Sequence, residues 1–525
     1  MAAEDINQKS QELAKSLWAI ACELRGSMDS SKFKNYILGI IFYRYLSERT
    51  EGYMDDLLAQ DGITYIEALN SPEYVDVVKG WAIDHLGYVI EPQYLFKSLV
   101  DEIEGNTFSI AHLEKAIQKL TESTLGQESE AAFDKLFDDM NLQDKDLGKE
   151  VSERTALIGK VMLKVGDISF DFKNAQFDVL GTAYMQLIAL FASDAGKKGG
   201  EFFSPTCASE LLAKLVTVGL ESAHSVCDCA AGSGSLLLEV QKELSTHNVS
   251  HFYAQEKNGV TYNLLRMNLL MHGVPYRSFT TYNDDTLAHD NFKNVSEGFQ
   301  LQVANPPYSL KFDFSKSFEN DPRFASCALP PKSYADLGFV EHMVYHMSND
   351  GRIAVLLPHG VLFRSGAEKK IREYLIGTLN VVDAIIGLPA NLFHGTSIPT
   401  IVMILKKNRN GDSDNIFFMD ASKYFKKGKS MNELEEKDIM RIVECYKNRV
   451  NVDKFAYKAP LSEVKEDNDY NCNIPRYVDT FEEEAPIDLE EVTQKIESTH
   501  KEINEAESVL KGLFSELGLR FPEVK

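Results

Sequence analysis

The part of the chain that says most about its architecture reads Ser225-Val226-Cys227-Asp228-Cys229-Ala230-Ala231-Gly232-Ser233-Gly234-Ser235, followed by the apolar run Leu236-Leu237-Leu238-Glu239-Val240. This pattern predicts a short buried strand, a glycine-rich turn and a helix. Such a turn lets the backbone approach a ligand closely, and the helix N-terminus adds N–H donors. A dinucleotide fingerprint would need a third glycine where this chain has Leu237. The segment therefore argues against a binding site for a nicotinamide dinucleotide.

Short apolar segments alternate with helical ones on both sides of this turn, from about residue 165 to residue 410. The predicted strands cover residues 225–228, 251–254, 301–304, 353–357, 381–386 and 401–405. Alternation of this kind is typical of an α/β fold in which helices cover both faces of a doubly wound, Rossmann-like sheet.

The regions outside this α/β segment have a different spacing of apolar residues. Before residue 165 the apolar residues recur at three- and four-residue steps, which predicts a helical N-terminal domain. We therefore expect four regions: a helical domain over 1–165, an α/β domain over 166–410, a mixed tail region over 411–484 and a C-terminal helix over 485–525.

The last of these regions carries a heptad pattern. Apolar residues, with one threonine, follow steps of three and four in the order Leu489, Val492, Ile496, Thr499, Ile503, Ala506, Leu510, Leu513 and Leu517. This is the a/d stripe of a coiled-coil-like helix, and such a stripe needs a partner helix. The partner could lie within this chain or on another subunit.

Charge and apolar patterning restrict the classes of function. Of the 525 residues, 55 are Lys or Arg and 79 are Asp or Glu, which gives a net charge of −24. Phosphate backbones repel such a chain unless a basic partner helps, so it is not expected to bind nucleic acid alone. The longest apolar run, residues 36–43, is far shorter than the ~20 residues that span a bilayer.

The N-terminal residues and the cysteines indicate a cytoplasmic protein. The first residues are polar and acidic, unlike a signal peptide. The seven cysteines are scattered along the chain, which fits a reducing compartment. Cys227 and Cys229 are separated by one residue instead of the two usual in zinc pairs, so we expect no metal.

Two acidic residues follow the next two predicted strands. Glu256 ends the strand after the glycine turn, where a carboxylate can accept both ribose hydroxyls of a nucleoside. Asp285 follows the third strand, which is expected between residues 254 and 285 in addition to those given above, and there its side chain can meet an adenine amino group. The alternatives are a surface carboxylate for Glu256 and a turn or helix cap for Asp285.

The predicted strand over residues 301–304 ends in Asn305-Pro306-Pro307-Tyr308. The Asn305 side-chain oxygen and the Pro306 carbonyl can accept both N–H bonds of an amine conjugated to a purine ring. This draws the nitrogen towards tetrahedral geometry and frees its lone pair for attack on a methyl sulfonium. Two prolines hold the acceptors in register, and Tyr308 offers a ring for stacking on an extruded base.

Together these motifs resemble a known family. The segment Gly200-Glu201-Phe202-Phe203-Ser204-Pro205-Thr206, the turn at 228–235 and the tetrapeptide at 305–308 are similar to S-adenosylmethionine-dependent, amino-methylating DNA methyltransferases. More narrowly, the chain resembles the modification (M) subunit of type I restriction–modification systems. Segments 24–39, 180–184, 321–324, 357–364 and 388–393 extend the resemblance over nearly the whole chain up to about residue 410.

The resemblance implies an adenine-N6 DNA methyltransferase that uses S-adenosyl-L-methionine. Its catalytic residues would be Asn305, Pro306, Pro307 and Tyr308. The expected cofactor contacts are Glu201, Phe202, Phe203, Ser204, Pro205, Thr206, Asp228, Gly232, Ser233, Gly234, Ser235, Glu256 and Asp285. The chain has Cys229 where proline is common in the family and Ser204 where threonine is common, and we expect these to tune binding without abolishing it.

The resemblance also implies partners. In this family a specificity (S) subunit reads the DNA sequence, two M subunits flank it, and a restriction (R) subunit can join. Two observations fit a subunit: the net charge, and the short distance from Tyr308 to the next predicted strand, which leaves no room for a recognition domain. The C-terminal stripe is then a candidate contact for S.

Three alternatives remain open on the residues alone. Protein-glutamine N5 methylation uses the same tetrapeptide, but those enzymes are much shorter and lack the Phe-Phe-Ser-Pro-Thr segment. A non-catalytic assembly subunit would have no need for an intact turn, Glu256 and tetrapeptide together. N4-cytosine is an alternative target, because the same two acceptors suit that amine.

Overall fold

The computed structural model describes residues 3–24, 30–168, 177–194, 205–393, 397–428, 431–480 and 489–522. It divides into two compact units, Met1–Val478 and Asp479–Lys525. A helix able to span a bilayer is not found among the described residues.

The larger unit is built on a nine-stranded sheet. The strands of the described residues are, in chain order, β1 Ser222–Ala223, β2 Val226–Asp228, β3 Asn248–Val249, β4 Phe252–Gln255, β5 Phe279–Tyr282, β6 Phe299–Ala304, β7 Met347–Pro358, β8 Val382–Gly387, β9 Thr400–Lys406, β10 Asn415–Asp420, β11 Lys426–Lys427, β12 Asn432–Glu433 and β13 Ala456–Pro460. The sheet order is β13-β10-β8-β9-β7-β6-β2-β4-β5, and the pairs β1/β3 and β11/β12 lie apart from it.

One half of this sheet is entirely parallel. The pairs β5/β4, β4/β2, β2/β6 and β6/β7 all run in the same direction. From β2 the chain first winds outward through β4 to β5 and then returns to β6 on the other side of β2. The predicted doubly wound fold is confirmed, and β2 with β6 marks the point where its winding direction reverses.

Helices cover both faces of the sheet. The α-helices of the described residues are α1 Ala3–Leu24, α2 Ser30–Leu58, α3 Tyr65–Asn70, α4 Val75–Leu86, α5 Phe96–Glu104, α6 Ile110–Thr124, α7 Glu130–Phe133, α8 Val151–Gly166, α9 Phe177–Asp194, α10 Thr206–Thr217, α11 Ser235–Glu243, α12 Gly259–Met271, α13 Asp336–Tyr345, α14 Ala367–Glu373, α15 Glu436–Asn448 and α16 Leu489–Glu516.

Alternate residues of the central strands pack into two separate apolar cores, one on each face of the sheet. Along β7, Ala354 and Leu356 join the core that also contains the N-terminal helices. Ile353, Val355 and Leu357 point to the opposite face and its own core. Strands buried on both faces read as continuous apolar runs, which is why the sequence pattern identified them.

The N-terminal helices pack on α12, the helix that follows β4. Tyr45 of α2 donates a hydrogen bond to the carbonyl oxygen of Leu270 at 2.7 Å. Asn263 of α12 donates to Asp139 at 2.8 Å, and Arg266 donates to the carbonyl oxygen of Asp134, also at 2.8 Å. The predicted helical N-terminal region thus braces the sheet beside the glycine turn.

The sheet continues beyond residue 410. Strand β10 pairs in parallel with β8, and β13 pairs antiparallel with β10 at the edge of the sheet. Residues 411–484, set apart as a mixed tail in the sequence analysis, therefore contribute two strands to the α/β unit. The sequence pattern did not predict β10 and β13, because these strands are only six and five residues long and polar loops surround them.

The smaller unit contains α16, as the heptad pattern predicts. Much of its apolar stripe is exposed within the described structure: Ile496 by 54%, Ile503 by 48% and Leu517 by 72%.

Candidate active site

The loops that follow β2, β4, β5 and β6 all leave the same edge of the sheet, because these strands are parallel. Strand β2 pairs with β6 through Val226 opposite Leu301 and Cys227 opposite Gln302. The glycine turn after β2 and the tetrapeptide after β6 therefore emerge from neighbouring strands. This is the edge at which open α/β sheets bind their ligands.

The glycine turn needs glycine for two reasons. Gly232 and Gly234 have φ angles of 55° and 79°, in the left-handed region that favours glycine. A Cβ atom on Gly234 would also lie 2.6 Å from Cδ1 of Leu265 in α12. The turn is thus pressed against α12, and Ser235 begins α11 directly after it.

Glu256 lies at this turn, directly after β4. Its Oε2 accepts a hydrogen bond from the backbone N–H of Gly232 at 2.9 Å, and its Oε1 accepts one from Asn258 N–H at 2.7 Å. Burial raises the pKa of the Glu256 carboxyl, and these backbone donors act in the opposite direction. The structure thus brings together Gly232 and Glu256, two predicted site residues that lie 24 positions apart in the sequence.

Asp228 is fully buried at the end of β2. Its Oδ1 accepts from Ala230 N–H at 2.9 Å, whereas its Oδ2 meets no hydrogen-bond partner among the described residues. Burial, aided by the negative charge of Glu256, raises the pKa of Asp228 to about 8. The buried hydroxyl of Ser233 likewise meets no partner there. Two buried polar groups thus remain available in the turn.

Asp285 caps the turn that follows β5. Its Oδ1 accepts hydrogen bonds from Leu287 N–H and Ala288 N–H at 3.0 and 3.3 Å. Its Oδ2 lies 2.8 Å from Nζ of Lys257. The capping role considered as an alternative is therefore present, and a contact between Asp285 and a nucleoside stays a prediction.

Asn305 follows β6 directly. Its side-chain oxygen accepts a hydrogen bond from the Tyr308 hydroxyl at 2.7 Å. The Tyr308 ring packs edge-on against Phe393, with ring centroids 5.8 Å apart and an interplanar angle of 88°. Burial, and the negative charge of Asp336, raise the pKa of Tyr308, so the hydroxyl stays protonated. Pro306 is buried and Pro307 is exposed.

The segment before α10 is described only in part. Glu201, Phe202, Phe203 and Ser204 lie outside the described residues. Pro205 caps α10, Thr206 is its first residue, and the Pro205 carbonyl accepts from Ala208 N–H at 2.9 Å. Helix α10 packs against α11, whose first residue ends the glycine turn.

Two residues at this edge were not among the predicted site residues. Arg323 donates from Nη1 to the carbonyl oxygen of Thr286 at 2.6 Å and from Nη2 to that of Leu287 at 3.1 Å, which fixes the turn of Asp285. Asp336 of α13 accepts from Ser309 N–H, just after the tetrapeptide. Arg323 lay in a segment noted only for its family resemblance, and Asp336 carried no sequence signal.

One group of possible metal ligands occurs among the described residues. Asp290, His342 and His346 have ligand atoms within 4.8 Å of one another. Nη1 of Arg323 lies 3.2 Å from Nδ1 of His342, however, and the permanent charge of Arg323 repels a second cation. The 2.9 Å contact between His346 and Asp290 favours a hydrogen-bonded cluster of side chains.

Comparison with known protein families finds two matches that together span most of the chain. Residues 175–485 match the family described as N-6 DNA Methylase. Residues 13–165 match the HsdM N-terminal domain.

Individual relatives agree with this. The chain is 35% identical to the type I restriction enzyme MpnII methylase subunit of Mycoplasma pneumoniae, over 97% of both chains. It is 30% identical to the MjaVII methylase subunit of Methanocaldococcus jannaschii, over 82% of this chain and 77% of that one. Among solved structures, the methyltransferase subunit of a type I restriction–modification system from Streptococcus thermophilus superposes with a TM-score of 0.82. That match has 36% identity over 90% of this chain and 100% of that chain.

Proposed function

This chain belongs to the N-6 DNA methylase family, among the methylase subunits of type I restriction enzymes, and from that premise we propose how its residues carry out the reaction. The chain is a DNA methyltransferase of the adenine-N6 type. We assign the acceptance of the target amine to Asn305 and Pro306, base stacking to Tyr308, and cofactor binding to the turn over 228–235 with Glu256.

One observation carries the proposal: β2 and β6 are adjacent and parallel. Their carboxyl ends bring the glycine turn over 228–235 and the tetrapeptide over 305–308 to the same edge of the sheet. Because transfer between two bound molecules requires the reacting atoms to meet within about 3–3.5 Å, this adjacency is the first geometric requirement of the reaction.

The residues of the turn fit S-adenosyl-L-methionine. The cofactor carries an ammonium group and hydroxyls, and the buried Asp228 Oδ2 and Ser233 Oγ both have unused capacity for hydrogen bonds. Each oxygen of Glu256 accepts one backbone N–H and retains a lone pair for a ribose hydroxyl. When bound, the cofactor supplies a methyl group activated by a positively charged sulfur.

Asn305 and Pro306 prepare the nucleophile. The Asn305 oxygen already accepts from the Tyr308 hydroxyl. A carbonyl oxygen has two lone pairs, so it can accept one amine N–H as well, while the Pro306 carbonyl accepts the other. Withdrawing both N–H bonds from the ring plane localises the nitrogen lone pair. The hydroxyl–amide hydrogen bond also fixes the Tyr308 ring relative to the two acceptors.

The target base has to leave the DNA duplex before it can reach these acceptors. Tyr308 is half-buried and held edge-on by Phe393, so it presents a fixed ring on which an extruded base can stack. A preset aromatic platform lowers the entropy lost when the base is captured.

We further infer that this chain works within a complex. A net charge of −24 opposes binding to phosphates, so a second subunit has to supply basic surface and read the sequence. The exposed stripe of α16, with Ile496, Ile503 and Leu513, suits a helix of the specificity subunit. We propose a second M subunit and a restriction subunit as the further members of the assembly.

The test is methyl transfer from radiolabelled S-adenosylmethionine to duplex DNA, with and without the cognate specificity subunit. We expect label in N6-methyladenine, and only when both subunits are present. Label in N4-methylcytosine would reassign the target base. Label in protein glutamine, or selective DNA methylation by this chain alone, would contradict the proposal.

A further inference from the structure

The backbone bends unusually just after the tetrapeptide. Ser309 has a φ angle of 53°, in the left-handed region that residues with a side chain seldom adopt. Serine has no intrinsic preference for this conformation, so the surrounding structure must hold it there. Observed strain of this kind beside an active site is a reason to ask what maintains it.

Helix α13 provides the restraint. Oδ1 of Asp336, the first residue of this helix, accepts a hydrogen bond from Ser309 N–H at 2.7 Å. Two backbone bonds continue the contact: Ala335 N–H donates to Leu310 at 3.0 Å, and Phe312 N–H donates to Lys332 at 3.1 Å. The chain leaving the tetrapeptide is therefore tied to the start of α13.

Asp336 is only 1% exposed, so its hydrogen bond is shielded from competing water. Its Oδ2 makes no hydrogen bond among the described residues and lies 3.8 Å from Nη1 of Arg364. Arg364 is held in turn by Glu368 at 3.2 Å and by the ring of Tyr334, 3.9 Å from its guanidinium carbon. A buried carboxylate with a nearby cation and a backbone donor is a fixed acceptor.

We propose that Asp336 is a positioning residue for methyl transfer. By accepting the Ser309 N–H, it holds the chain beyond Tyr308 in the turn that presents Asn305 and Tyr308 to the target base. This inference rests on the role assigned above to Asn305–Tyr308. In this role Asp336 acts through the Ser309 N–H and contributes no group to the transfer itself.

The experiment compares two substitutions of nearly equal shape, Asp336→Asn and Asp336→Leu, each purified with the cognate specificity subunit. Both remove the charge beside Arg364, but only asparagine retains an oxygen that can accept from Ser309. Single-turnover methyl transfer to DNA is measured at saturating cofactor, and cofactor affinity is measured by calorimetry. Glu341→Gln is the matched control, since Glu341 is a buried carboxylate of the same helix whose oxygens contact no donor among the described residues.

We expect Asp336→Leu to lower the single-turnover rate by about ten- to a hundredfold, the range associated with displacing a reacting group by about 1 Å. Cofactor affinity should stay within about twofold, because no hydrogen bond joins the turn over 228–235 to this helix start among the described residues. The rate of Asp336→Asn should stay within about threefold of that of the unmodified protein. Adding Ser309→Gly to Asp336→Leu should recover part of the rate, since glycine adopts positive φ readily.

Equal rates for the asparagine and leucine variants would overturn the proposal, whether both are normal or both are slow. If the leucine variant does not fold, Asp336→Ala replaces it in the same comparison. Asn305→Ala is run alongside. Loss of transfer in Asn305→Ala with normal transfer in both Asp336 variants overturns only the role of Asp336, whereas retained transfer in Asn305→Ala overturns the assignment of the tetrapeptide.

Discussion

The carboxyl edge of the sheet and the C-terminal helix α16 are incomplete in opposite ways. At the edge, buried polar atoms such as Asp228 Oδ2 and Ser233 Oγ have unused hydrogen-bonding capacity. On α16, apolar side chains such as Ile503 and Leu513 are exposed. A small polar ligand can satisfy buried polar groups, whereas an exposed apolar stripe is typical of a surface that binds another macromolecule. The difference supports our proposal that methyl transfer and subunit assembly use separate units of this chain.

The largest expected effect is on chemistry at the edge. Asn305→Ala should lower methyl transfer by about a hundredfold or more, the size of effect seen when one transition-state hydrogen-bonding group is removed. Cofactor affinity should remain nearly unchanged, because Asn305 belongs to the tetrapeptide and not to the turn. Single-turnover transfer and calorimetry on the same preparation check both parts. Turnover above a few per cent would make Asn305 a turn residue only.

Removing α16 tests the proposed role of this helix in subunit assembly. A chain that ends before Leu489 should bind the specificity subunit at least about thirtyfold more weakly, since each fully buried aliphatic side chain contributes about 1.5–3 kcal/mol. Its cofactor affinity should be normal. Gel filtration of the mixed subunits measures the first quantity and calorimetry the second. Normal assembly of the truncated chain would move the subunit contact to another surface.

Glu256→Ala should weaken S-adenosylmethionine binding by about ten- to a hundredfold, or about 1.5–3 kcal/mol, through loss of two hydrogen-bond acceptors. Lys257→Ala is a neighbouring control, because the Lys257 side chain pairs with Asp285 at 2.8 Å, while its backbone N–H, which helps to hold the Glu256 carboxylate, is kept in the variant. Calorimetry on both variants separates the carboxylate from general disturbance of the loop. Equal losses would remove Glu256 from the cofactor site.

The pH dependence of cofactor binding depends on Asp228. Its pKa is raised to about 8, so below pH 8 the free protein holds this carboxyl mainly in the neutral form. A cationic ligand favours the carboxylate, so binding should release a proton, and affinity should fall by up to about tenfold per unit as the pH drops below 8. Calorimetry in buffers of different ionisation enthalpy counts the released proton. Asp228→Asn should flatten the profile, and a profile equally steep in that variant would exclude Asp228 as its source.

The local patterns of this sequence are sufficient for several conclusions. Apolar runs at 225–228 and 301–304 predict strands, the glycines after the first of them predict a turn that a ligand can approach closely, and Asn305–Tyr308 predicts an amine acceptor. These conclusions depend on residues close together in the chain, because backbone preferences and hydrophobic periodicity are local properties. The predicted fold class is confirmed on that basis, while the individual cofactor contacts stay predictions.

Long-range pairing decided the rest. That β6 returns beside β2, that β10 and β13 extend the sheet, and that Asp336 reaches Ser309 across 27 residues all depend on contacts between distant segments. A buried aspartate at the start of a helix looks the same in sequence whether it caps its own helix or restrains another loop. Only packing determines which donor it meets, because the hydrogen bond forms after both segments have been buried together.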